Sequence, residues 1–167
     1  MKKTRTLFVL TLAVVSVGIV GMATVSAIGP EPSAHGSAQS GDLMLTVSAI
    51  QHQDGSVDGH ATFRDRATNT KVDIDIDCLT VVGPMGGGDG SRQAIVSGTV
   101  GKSTFPDLAT GTQAAFVVRD NGEGQNSPPD QFQAPGGAKG PCTIGVIHEF
   151  LTSERGNLVV TADDPAN

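Results

Sequence analysis

The sequence has no tryptophan and no tyrosine, and only six phenylalanines. It therefore lacks the flat rings that carbohydrate-binding modules normally present. It also lacks the aromatic platforms on which single-stranded nucleic acids stack. Only two cysteines occur, and no C-x-x-C spacing, which disfavours a dithiol redox motif. The four histidines, His35, His52, His60 and His148, show no H-x-H or H-x-x-x-H spacing. A zinc site would have to form across strands. The glycine-rich stretch "GPMGGGDG" lacks the G-x-x-x-x-G-K-[ST] order and is no phosphate cradle. No segment carries a helical period of useful length, and no serine sits in a nucleophile elbow.

The N-terminus is not read as fold. Lys2, Lys3 and Arg5 precede an uncharged apolar run from Leu7 to about Ala23, which ends in Val25-Ser26-Ala27. That order predicts a secretory signal peptide over 1–27, cleaved after Ala27. No cysteine follows the cleavage point, so no lipid anchor is expected there. Cleavage removes three of the 11 basic residues and none of the 17 acidic ones, leaving a net charge of −9. Nucleic acid and anionic membrane surfaces become poor partners, and no stable membrane insertion is expected after cleavage. The expected location is extracellular or the cell envelope.

Length and composition suit one core. Residues 28–41 are rich in Gly, Pro, Ser and Ala and read as a flexible leader; 162–167 reads as a flexible tail. Between them, 42–161 holds candidate strands at 42–50, 60–66, 71–82, 92–100, 111–120, 142–151 and 157–161. Glycine, asparagine and proline separate them, and 121–141 reads as a long loop. The predicted fold is all-β: a single antiparallel β-barrel or barrel-like sandwich of seven to eight strands. Its expected core is Phe63, Ile74, Ile76, Val96, Phe116 and Val118, with some of Ile144, Val146 and Phe150. In an oxidising compartment Cys78 and Cys142 are expected to pair. Two buried thiols or an intermolecular bridge are the alternatives.

The stretch "KVDIDIDCL", 71–79, poses the sharpest question. Side chains alternate along a strand, so Val72, Ile74, Ile76 and Cys78 share one face. Asp73, Asp75 and Asp77 share the other with Lys71. A turn at Thr68-Asn69 makes paired numbers in strands 60–66 and 71–82 sum to 137, or to 139 if displaced by one residue. Arg64 then lies opposite Asp73 in the first register, with Arg66 nearby as a second counter-charge. Aspartates about 6.8 Å apart on a straight strand do not wrap a cation. This face reads as solvated and salt-bridged.

A cation fits better on the turning chain "RDNGEGQNSPPDQ", where Asp120, Glu123 and Asp130 are the candidate calcium ligands beside Asn121 and Asn126. Its spacing is not that of an EF-hand, and an Asx-type turn is the alternative. His148 lies in an apolar run beside Glu149, where it either lines one end of the core or faces solvent. Gly98, inside "VSGTV", predicts a bulge or a close backbone approach.

The stretches "GHATFRDRATNTKVDIDIDCLTVVG" and "VVRDNGEG…PPDQF" resemble a family of small secreted β-domains from high-GC Gram-positive bacteria. The resemblance spans about 45–161. In the family pattern a cysteine-bearing strand precedes a Ser-Gly strand and a V-x-D-x-G-E-G turn with Asp-x-Phe. Cys78, Ser97-Gly98, Asp120–Gly124, Asp130 with Phe132, and Cys142 occupy those places. It implies export and a β fold, and transfers no activity or catalytic residue. The expected function is a non-enzymatic secreted module that binds a protein or small ligand, or acts in the envelope. The alternatives are a carrier with the barrel as its cup, and a secreted enzyme of unrecognised type.

Overall fold

The alternation around Ile74 and Ile76 becomes two faces of one strand in the computed structural model, which describes residues 30–83, 91–123, 126–145 and 148–162. The expected signal peptide, residues 84–90 and residues 163–167 of the tail lie outside the described residues. The strands are β1 (Ser33–Ser40), β2 (Leu43–Gln51), β3 (Val57–Asp65), β4 (Thr70–Val82), β5 (Arg92–Ser103) and β6 (Gln113–Asp120). Five shorter or later ones follow: β7 (Gln131–Gln133), β8 (Gly136–Gly140), β9 (Thr143–Ile144), β10 (Phe150–Thr152) and β11 (Arg155–Thr161). Nine of them follow one path, β10-β7-β6-β5-β4-β3-β2-β1-β11, and β8 branches from β6 to carry β9. Every pairing is antiparallel. The result is an all-β domain built on a large curled sheet. No helix among the described residues is long and apolar enough to cross a membrane.

The curl brings distant strands together over one core. Phe63 of β3 meets Phe116 of β6 edge to face, with ring centroids 4.8 Å apart. Ile74, Val96, Val118 and Ile76 are buried with them, as their spacing predicts. Phe132, Leu158, Val160, Leu45 and Val47 complete the interior. Burying one such phenylalanine contributes about 2–3 kcal/mol. Ile144 and Phe150 are only partly buried and lie outside this core. Phe150 instead lies under the Arg119 guanidinium, 4.2 Å from Cζ to ring centre. Val146 lies outside the described residues.

The expected leader is in part a strand. β1 pairs with β2 on one edge and β11 on the other. It carries no large apolar residue, and at Gly36 the neighbouring backbone comes close. A Cβ on Gly36 would stand 2.1 Å from the Asn157 carbonyl oxygen, and its φ is +132°. Backbone pairing and burial of Ala34 and Ala38 replace the bulky alternation that marks other strands.

The β3–β4 register also differs from both expected ones. Phe63 pairs with Val72, Ala61 with Ile74 and His60 with Asp75, so paired numbers sum to 135. Asp65 sets this register. Its carboxylate accepts the Ala67 N–H at 2.8 Å and the Thr68 hydroxyl at 2.9 Å, closing a four-residue turn that ends at Asn69 with φ 54°. A shift of two residues preserves the faces. It puts Arg64 opposite Lys71 rather than Asp73.

The Cys78–Cys142 disulfide forms, with Cα atoms 5.5 Å apart. Its closed loop spans 64 residues and contributes about 4 kcal/mol in the chain-entropy description. Cys78 does not share the core face of Ile76. A bulge between Ile76 and Cys78 changes the parity, and Leu79 takes the buried side. Gly98 sits opposite that irregularity, where a Cβ would stand 2.0 Å from the Asp75 carbonyl oxygen. Cys142 lies in the β8–β9 turn rather than in a strand, and 142–151 divides into β9 and β10. Its N–H donates to the Ser97 hydroxyl at 2.7 Å. The disulfide thus fastens β8 and β9 over the outer side of β5 and β6, where Ala115 and Val117 are buried.

Candidate functional site

The aspartate ladder occupies the outer face of β4. Asp73 accepts the Thr62 hydroxyl at 2.7 Å and the Lys71 ammonium at 2.9 Å. Burial works against its charge, but the Lys71 and Thr62 bonds outweigh burial and hold its carboxyl below the usual range. His60 lies 3.7 Å from Asp73 and 3.5 Å from Asp75. Asp77 is 3.5 Å from the Gln113 amide nitrogen. Lys71, not Arg64 or Arg66, supplies the counter-charge to Asp73 among the described residues. Among the described residues, no group of three or more His, Cys, Asp or Glu side chains is arranged to hold a metal.

The three calcium candidates are drawn together beside β11. Asp120 accepts the Gly122 N–H at 2.7 Å and the Val160 N–H at 3.0 Å, one on each oxygen. Asp130 accepts the Asn121 N–H at 3.0 Å and the Leu158 N–H at 2.7 Å in the same way. Glu123 accepts the Asn157 side-chain amide at 2.9 Å. Burial raises the Asp130 carboxyl above its ordinary range, against the pull of those two amides, and the charges of Asp120 and Glu123 add to the rise. The chemistry is that of a seam. β11 pairs with β1 on one edge only, and buried amides on its other edge would be costly without acceptors. The carboxylates stand in for the carbonyls of a missing neighbour strand. The corner from β10 to β11 is held likewise: the Ser153 N–H donates to the Asp130 carbonyl at 2.8 Å, and that of Glu154 to Gln39 at 2.7 Å.

A cleft of about 440 Å³ opens at one end of the sheet. Phe105, Asp107 and Leu108 of the β5–β6 connection form one wall; Ala134 to Gly137 and His148 form the other. Local bonds fix the first wall. The Ser103 hydroxyl accepts the Phe105 N–H at 3.0 Å, the Thr112 hydroxyl donates to Ala109 at 2.6 Å, and Leu108 is anchored in the core. The second wall continues into β8, which pairs with β6 at Gly136 and Gly137. The buried Gln133 side chain donates to the His148 carbonyl at 2.8 Å and fixes that residue at the rim. Among the described residues, neither the Asp107 carboxylate nor the His148 ring makes a hydrogen bond or ion pair. The cleft therefore combines apolar walls with two free polar groups, the usual composition of a small-molecule site.

Sequence reasoning left His148 either lining one end of the core or facing solvent, and did not find the cleft. The signal available was Phe105 and Leu108 within a turn-forming stretch, two large apolar residues where a loop needs none. The other histidines lie on open surfaces. His52 stands 3.1 Å from Asp58 and 3.6 Å from Glu31, with its pKa raised chiefly by the Asp58 hydrogen bond. His35 lies 3.2 Å from the Ser48 hydroxyl. No protein family, curated protein or solved structure matches the chain.

Proposed function

We propose that the chain is a secreted, non-enzymatic β-domain that binds a small, largely apolar ligand in the end cleft. The observation that carries this reading is the cleft itself: apolar walls held by local bonds, with the free Asp107 and His148 groups at hand. Its volume falls within the range typical of ligand pockets. Phe63, Phe116 and Phe132 are buried inside the curl, which favours the end cleft over the interior as the place of binding. Export is supported by the Lys2–Ala27 pattern and by the disulfide, and agrees with the likeness to secreted Gram-positive β-domains. We further propose that the sheet acts as a closed barrel of seven long strands, β1–β6 and β11, with β7 and β10 at the seam. The carboxylate–amide bonds from Asp120 and Asp130 to β11 support that closure.

A thermal-shift screen of small apolar compounds against the chain from residue 28 onward tests the binding reading. Ala134→Phe, which adds a ring to one wall, serves as the control. Compounds that raise the melting temperature of the parent and not of the variant support it. Compounds that act equally on both contradict it.

A further inference from the structure

Resting on that reading of the cleft, we infer that its ligand is a small organic cation, an apolar body carrying an ammonium group. Among the described residues that line the cleft, Asp107 is the only acidic or basic one besides His148. It is exposed, and no described residue forms an ion pair with it. Phe105 lines the same wall two residues away, and the negative face of an aromatic ring attracts an ammonium group. Carboxylate and ring therefore favour the same charge. The rest of the chain agrees, since its acidic residues outnumber its basic ones by 17 to 11 and attract cations at long range. Leu108, Ala134 and Pro135 supply the surface for the apolar body. An anionic ligand would meet Asp107 with the wrong sign.

The test compares three compounds that share a phenyl body: 2-phenylethylamine, 2-phenylethanol and phenylacetate. Affinities come from chemical-shift titration of the chain from residue 28 onward at low salt. The amine should bind roughly three- to tenfold tighter than the alcohol, the sum of one exposed ion pair and one ring contact. Phenylacetate should bind most weakly, and added salt should erode the amine's advantage. Asp107→Asn, an exposed change with little effect on folding, should remove most of the preference and leave the alcohol unaffected. Phe105→Leu should lower the amine's advantage while keeping the wall apolar. Equal affinity for amine and alcohol overturns the inference while the cleft reading stands. Absence of binding by all three overturns both.

Discussion

The Asp130 carboxylate accepts the backbone N–H of Leu158 at 2.7 Å, across 28 residues of sequence. Asp120 does the same for Val160 at 3.0 Å, across 40. Two side chains thereby perform the work of a strand edge, and β11 keeps Leu158 and Val160 in the core although one of its edges has no strand partner.

Asp130→Asn should therefore destabilise the fold. The amide retains one acceptor oxygen, but its NH2 group faces a backbone N–H that loses its partner. The cost should be about 1–3 kcal/mol, seen as a melting temperature several degrees lower. An unchanged midpoint would show that the seam bonds contribute nothing.

The same residue sets a pH dependence. Its folded pKa is raised by burial, so the folded state keeps a proton that the unfolded chain has released. This group's contribution is fully present below its unfolded pKa and is lost as pH rises through the folded value. Asp73 has the opposite sign. Its lowered pKa, held down by Lys71 and Thr62 against burial, gives stability above its unfolded value that is lost as pH falls through the folded one. Thr62→Val should raise the Asp73 pKa measured by carboxyl NMR. An unshifted Asp73 would contradict the hydrogen bond's role.

Calcium should have little effect. All four oxygens of Asp120 and Asp130 already accept backbone N–H groups, and coordination would compete with those bonds. The melting temperature should be the same with chelator and with millimolar calcium. A rise with calcium would mean that the turn rearranges into a binding loop.

Replacing both cysteines with serine should cost about 2–4 kcal/mol and loosen the β8–β9 cover. Hydrogen exchange at Ala115 and Val117 should speed up more than at Phe63, which lies away from the cover. Equal acceleration at all three would contradict local release.

Much of this architecture is legible in the sequence, for identifiable reasons. Strand parity assigns Phe63, Ile74 and Ile76 to the core because a period of two survives any even shift in register. The register itself depends on Asp65 closing its turn, a local choice that hydrophobic pattern does not encode. β1 escapes the pattern because its buried residues, Ala34 and Ala38, are small and Gly36 meets the Asn157 backbone closely. The cysteine pair is legible from its number and from the export signal expected at 1–27, but the side occupied by Cys78 is not, because the bulge after Ile76 reverses parity. Asp120 and Asp130 stand out as oxygen bearers, yet their partners on β11 are brought to them only by the curl of the sheet. The end cleft depends on the same long-range approach, between Phe105–Leu108 and Ala134–Gly137.

The central claim is that the end cleft binds a ligand, and mapping backbone amide shifts on titration with 2-phenylethylamine tests it most directly. The account predicts saturable shifts concentrated at Phe105, Asp107, Leu108, Gly136, Gly137 and His148, with the ladder around Asp73 and Asp75 unmoved. Shifts centred on Asp73 and Asp75, or none at any concentration, would contradict it.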